Sequence, residues 1–272
     1  MTGSEAGGET EGEVRTGTPT LAEARRVVDR ERRECVAERE AFRSFRAAVS
    51  RLSTPEGGSD ASQPTQGSGV LSARCLQERT GASASGGAAP IRDAYRRSVM
   101  ALDHLGEESL SEHMAAELGA GLARRIEAGA VTPAVRRALR DRIDVVVDAR
   151  ESFVAMLDRE VDSIEGVDGT CRRLRSRVRR VRAWESVDDE RRRLDAVFEA
   201  WTELDRIAAA LDEAAADRQA TLARHRRSLT GFDEGVASYL YDGRPALAAI
   251  ASVGRDAVDG RRAVVAAVGH PE

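Results

Sequence analysis

The chain has 272 residues, a formal net charge of −4 and a hydrophobic fraction of 41%, of which little is aromatic (4% of the chain). That suffices for one or two domains with the thin core typical of helical bundles, and it excludes the strongly basic overall balance that favours nucleic acid or anionic membranes. All 42 basic residues are arginine, and neither lysine nor asparagine occurs, a codon signature of a GC-rich or halophilic source.

The first eighteen residues are rich in Gly, Glu and Thr, with no basic start and no apolar run, so residues 1–18 are expected to form a disordered tail and not a signal peptide. No stretch approaches the roughly 20 apolar residues that cross a bilayer, which predicts a cytoplasmic protein without a membrane partner. Cys35, Cys75 and Cys171 form no C-x-x-C pair, as suits a reducing compartment; Cys35 and Cys171 fall on apolar ladders and read as small core residues.

The first long helix is predicted within 19–53, starting at a threonine N-cap beside Pro19 and ending before Pro55 and a Gly-Gly pair. Its ladder is Leu21, Val28, Cys35, Phe42 and Val49, and the same face carries Glu31 and Glu38, acids on an apolar seam. Residues 54–89 read as a Gly/Ser/Ala-rich linker, with Val70 to Glu78 as a short helix or docking segment. Helical pattern resumes after Pro90, breaks around His104 to Gly106, and continues from Leu110 to Ile126 until Gly129.

Thr132 and Pro133 open a third long helix whose rungs are Leu139, Val146, Phe153, Glu160, Val167, Leu174 and Val181, with Ile143, Leu157, Ile164, Cys171 and Val178 filling the same stripe. Only Arg150 and Glu160 interrupt it, and Gly166 and Gly169 are expected to bend it. A short connection near Trp184 to Ser186, with Ser186 as N-cap, leads into a fourth helix with rungs at Val187, Leu194, Trp201, Ala208, Ala215, Leu222 and Leu229. So short a link makes 132–229 an antiparallel hairpin within a helical bundle spanning 90–229. Residues 230–272 read as a small cap of short helices, starting near Pro245 and Arg255. The fold class is all-α: a long antiparallel coiled-coil bundle with a helical C-terminal cap.

Three clusters bear on chemistry. Arg172, Arg173, Arg175, Arg177, Arg179, Arg180 and Arg182, joined across the hairpin by Arg191, Arg192 and Arg193, make a basic tip that is a candidate anion or nucleic-acid patch. A solvated helix surface explains the same residues, and base-reading side chains are scarce beside them. His104, Glu107, Glu108, Glu112 and His113 lack the Glu-x-x-His spacing of a di-iron bundle, and read as a capped helix junction. Arg218 and His225 sit where core residues belong on the fourth helix. If the hairpin is symmetric about residue 185, Arg150 and Arg218 share a level, and with Glu31, Glu38 and His225 form one polar core layer that sets register and partner choice.

Catalytic, cofactor-binding and metal-binding motifs of the familiar kinds do not occur in the sequence, so no enzyme activity and no cofactor is assigned. Several segments together carry a family likeness: Glu40-Ala41-Phe42 with Phe45, Ala94 to Met100 leading to His104, Glu112 to Gly119, Arg150 to Glu160, and Asp217 to Leu229 followed by Tyr239-Leu240-Tyr241. Across about residues 20 to 255 the chain resembles an uncharacterised all-helical family of halophilic archaea, a domain of unknown function. The resemblance implies a halophilic cytoplasm and no known activity. The leading expectation is an interaction or scaffold protein that meets a protein partner, or itself, through helical surfaces; the alternative is a nucleic-acid-associated or regulatory protein using the arginine-rich tip.

Overall fold

The computed structural model describes residues 19–52, 87–106, 108–182, 185, 189–228 and 236–269. The 1–18 tail, nearly all of the 54–89 stretch with Val70 to Glu78 and Cys75, and also Glu107, Trp184 and Ser186, lie outside the described residues. Among the described residues the chain is all-α, with helices α1 (Leu21–Arg51), α2 (Ala88–Ser98), α3 (Leu110–Leu118), α4 (Ala120–Glu127), α5 (Pro133–Val181), α6 (Glu190–Ser228), α7 (Val236–Leu240) and α8 (Pro245–Gly269).

Local chemistry sets the helix starts. At α1, the Thr20 N–H donates to Glu23 Oε2 at 2.8 Å while the Glu23 N–H donates to Thr20 Oγ1 at 3.2 Å, a reciprocal cap that satisfies two backbone donors. At α3 the Glu112 N–H donates to Ser109 Oγ, whose hydroxyl donates to Glu112 Oε2, and Thr132 Oγ1 accepts from the Val135 N–H at the start of α5. Asp189 caps α6, its carboxylate accepting from the Arg192 N–H at 2.9 Å. Where one helix is expected from Leu110 to Ile126, the chain breaks at Gly119, whose φ of 90° is a backbone conformation that glycine adopts without a Cβ clash.

Two compact units divide the chain, and the division falls inside α1 and α5: one unit is Asp29–Arg159, the other joins the start of α1 through Val28 to the chain from Glu160 onward. The Asp29–Arg159 unit is organised around Phe42, Phe45, Ile91, Tyr95, Met114, Ile126, Leu139 and Ile143. Phe42 and Phe45 meet the Tyr95 ring edge-on, at centroid distances of 6.1 and 5.0 Å, a favoured arrangement for aromatic quadrupoles. Most of the predicted α5 stripe is buried, Leu139, Ile143, Val146, Leu157, Ile164, Val167, Cys171, Leu174, Val178 and Val181, but the Phe153 rung is half-buried while Val154 and Met156 are buried. Gly166 and Gly169 do not interrupt the helix.

In the other unit, α5 residues Val167, Cys171, Leu174 and Val178 share a core with α6 and α8. The buried series on α6 is Val197, Leu204, Leu211, Arg218 and His225, joined by Ala200 and Ile207. It lies three residues from the expected ladder, whose Leu194 and Trp201 rungs are exposed. Both series repeat every seven residues, so periodicity alone does not choose between them; the approach of α8 does. That helix is a single 25-residue element where two short helices are expected, and it carries its own ladder, Ala246, Ile250, Val253, Ala257, Gly260 and Val264. At Gly260 the Leu204 side chain packs so close to α8 that a Cβ would stand 3.3 Å from Leu204 Cδ2.

Candidate functional site

The α5 interruptions and the polar residues of α6 enter two networks, one half-buried and one fully buried, and not the single layer expected. In the Asp29–Arg159 unit, Arg150 reaches from α5 toward α1 and α3: its Nε donates to Glu38 Oε2 at 3.0 Å and its Nη2 to Glu117 Oε1 at 2.7 Å. Its guanidinium also lies 4.9 Å from the centre of the Phe42 ring. Burial opposes the charge on Arg150, but the hydrogen bonds and negative charge of Glu117 and Glu38 outweigh it and raise its pKa. His104 Nε2 meets the other Glu38 oxygen at 2.9 Å. Glu31 stands half-buried on α1, where its charge contributes to the environment of Cys35.

Neighbouring His113 bonds the Tyr95 hydroxyl through Nδ1 at 2.6 Å, with Tyr95 completely buried. Burial first, and the nearby Glu117 charge second, push the Tyr95 phenol well above its ordinary pKa. Glu112 is committed to its cap on Ser109, so the residues of the 104–113 junction are parcelled out among different partners.

The second network is in the other unit and is more deeply buried. Glu160 is 0% exposed and takes two hydrogen bonds from Arg218, at 2.8 and 2.6 Å, in a bidentate pair. Tyr241 Oη donates to Glu160 Oε1 at 3.0 Å, His225 Nδ1 stands 3.5 Å from Oε2, and Arg218 also donates to Ser163 Oγ at 2.9 Å. The Tyr241 phenol is held far above its ordinary pKa by burial and then by Glu160, so it stays a donor. Together Arg218, Tyr241 and His225 surround the one carboxylate that a buried charge of this kind requires.

The separation of Arg150 from Arg218 follows from hairpin register. The pairs Arg177 Nε–Glu203 Oε1 (2.6 Å) and Arg218–Glu160 centre the hairpin near Asp189 and Glu190, not at residue 185. Arg218 therefore finds Glu160, ten residues further along α5 than Arg150. Tyr241 was not among the expected residues. The sequence marks it as the end of the Tyr239-Leu240-Tyr241 segment of the family likeness, an aromatic hydroxyl shortly before a helix-opening proline, Pro245.

A cleft of about 300 Å³ opens beside this network, lined by Leu222, His225 and Arg226 of α6, Val236 and Ala237 of α7, and Tyr241, Gly243, Arg244 and Leu247 around the start of α8. The arginine-rich stretch is mostly at the surface: Arg172, Arg173, Arg179, Arg180, Arg182, Arg191 and Arg192 are exposed and Arg175 is half-buried. Several are engaged locally, Arg172 with Asp168, Arg173 with Thr170, Arg182 with Glu185, and Arg179 with the Arg175 carbonyl. Arg177 is tied to Glu203, whose carboxyl this arginine's hydrogen bond holds below the usual range.

Residues 19–261 match the family described as a domain of unknown function, DUF7260. The chain belongs to that family. The match spans both units and both networks, and it carries no activity with it. No curated protein and no solved structure matches the chain. Among the described residues, no helix is long and apolar enough to cross a membrane.

Proposed function

We propose that this DUF7260 chain is a non-catalytic interaction protein, a helical scaffold whose α6–α8 face docks an amphipathic partner helix with acidic flanks. The observation that carries this reading is an exposed apolar row on α6. Leu194, Phe198 and Trp201 share one face at i, i+4 and i+7, and are 61%, 73% and 40% exposed. Val265 and Val268 of α8 are also more than half exposed. Arg261, one helical turn before Val265, lies 5.8 Å from the Trp201 ring centre and pairs with Asp205, which brings the α8 row to the same side.

Charge selects the occupant. Exposed Arg191 and Arg192 precede the apolar row on α6, so acidic flanks on the partner complement it, whereas a second copy would bring arginine against arginine. Aromatic anchors bordered by arginine are the composition of an interface core, and the seven-residue ladders of this unit support coiled-coil packing with an added helix. The lysine-free composition supports a salt-rich cytoplasm, in which apolar docking is strengthened. A second reading, phosphate contact by the arginine-rich stretch, draws support from Arg180, Arg191 and Arg192, which are exposed; the local pairing of Arg172, Arg177 and Arg182 weighs against it.

The test uses Trp201 fluorescence in a Trp184→Phe background, titrated with a synthetic amphipathic helix bearing glutamate flanks and with its lysine-flanked twin. The glutamate-flanked peptide should bind saturably and shift the emission, and Phe198→Asp should weaken it about thirtyfold, as loss of a central aromatic anchor does. Equal binding of both twins, or undiminished binding by Phe198→Asp, would overturn the proposal.

A further inference from the structure

The cleft beside the Glu160 network has a different composition from the apolar face. Its walls are aliphatic, from Leu222, Val236, Ala237 and Leu247, and among the described lining residues the polar groups are cationic or neutral, with no carboxylate. Arg226, near the end of α6, and Arg244, the residue preceding α8, both line the cleft and are exposed. Among the described residues neither is paired with an acid, in a chain where most half-buried arginines have one. Tyr241 and His225 reach the cleft from beneath, and their positions are fixed by Glu160. Because Arg218 neutralises Glu160 through two hydrogen bonds, that buried carboxylate does not oppose a second negative charge above it.

We propose that this cleft is a binding site for a small organic anion, a carboxylate or phosphate monoester on a short aliphatic body, with Arg226 and Arg244 holding the charged head and Leu222, Val236 and Leu247 receiving the body. A volume near 300 Å³ lies at the small end of ligand pockets, which fits a metabolite-sized molecule and excludes a cofactor of nucleotide size. Each of the two arginines can present a fork of donors to an anionic head group. The positive end of the 25-residue α8 lies on the same side and favours the same sign of charge. Gly243, at a φ of 107°, adds no side chain to the cleft beside Arg244. The site is distinct from the α6–α8 docking face and stands or falls separately from it.

Calorimetric titration of the full chain at fixed ionic strength, with hexanoate, hexyl phosphate, hexylammonium and hexanol as probes, tests the proposal. At least one of the two anions should bind with one-to-one stoichiometry, and which one binds better identifies the head group. Hexylammonium and hexanol should not bind. Arg226→Gln with Arg244→Gln should weaken the anion at least tenfold while the circular dichroism and melting temperature stay as in the parent, since both side chains are exposed. Leu247→Glu, which puts a like charge into the aliphatic wall, should abolish binding. Failure of both anions to bind, binding of the amine or alcohol as tight as that of the anions, or unaltered anion affinity in the double arginine variant would overturn it.

Discussion

Glu160 is the residue on which the α5–α6–α8 unit concentrates its electrostatic risk. A carboxylate with no solvent exposure is tolerable only because Arg218 and Tyr241 each hydrogen-bond it, and removal of one member leaves the others buried and unsatisfied. Glu160→Gln should therefore lower unfolding free energy by about 3–5 kcal/mol in chemical denaturation, while Glu160→Leu combined with Arg218→Met should recover much of that loss. If the single variant costs no more than a surface substitution, the network is not the buried pair described. Cys35 gives a pH prediction. Burial, and then the Glu38 charge, push its thiol from 9.0 up to about 11, so the folded state favours the protonated form. The stability this contributes is complete below pH 9 and is lost as pH rises toward 11, by a margin on the order of 2 kcal/mol. Cys35→Ala should flatten that alkaline fall relative to the parent, measured by urea denaturation across the same range.

Individual residues were more legible than their pairings. Arg150 and Glu160 stand out in the sequence as the interruptions of an otherwise apolar stripe, and Glu38, Arg218 and His225 as polar residues on seams. Their partners depend on where the hairpin turns, and a shift of four or five residues in the turn replaces Arg150 by Glu160 as the group facing Arg218. Glu117 gave no signal because it belongs to α3, a short helix whose end at Gly119 looks from sequence like the middle of a longer one.

At the scale of elements, α5 was readable over most of its length because both of its seven-residue series are apolar except at Arg150 and Glu160, whichever neighbour it meets. The α6 helix has two competing series, and its burial was decided by a partner, α8, whose ladder was obscured by Gly254, Arg255 and Gly260. The two glycine environments predict opposite outcomes. Gly166 lies in mid-helix, where an added Cβ would meet nothing within 4 Å, so Gly166→Ala should raise stability by about 0.5–1 kcal/mol through helix propensity. Gly260 faces Leu204 at 3.3 Å, so Gly260→Leu should drive α8 from α6 and lower stability by about 1–3 kcal/mol. Thermal melts of the two variants, read beside the parent, check both signs; a stabilising Gly260→Leu would mean that α8 does not pack as described.

For the whole molecule, all-helical architecture and membership of the DUF7260 family set the frame, and the proposed function rests on surfaces. The exposed α6–α8 row and the arginine-rich stretch require different partners, and salt separates them because apolar docking and phosphate contact respond to it in opposite ways. The decisive measurement is the dissociation constant of the glutamate-flanked helix as salt is raised from low to molar concentration, for the parent chain and for Phe198→Asp. Docking on the apolar face predicts that the parent's affinity changes by less than about tenfold, because screening of the flanks is offset by stronger apolar burial, and that Phe198→Asp binds more weakly at every salt concentration. An affinity that falls by about a thousandfold or more over that range, with Phe198→Asp indistinguishable from the parent, would contradict it.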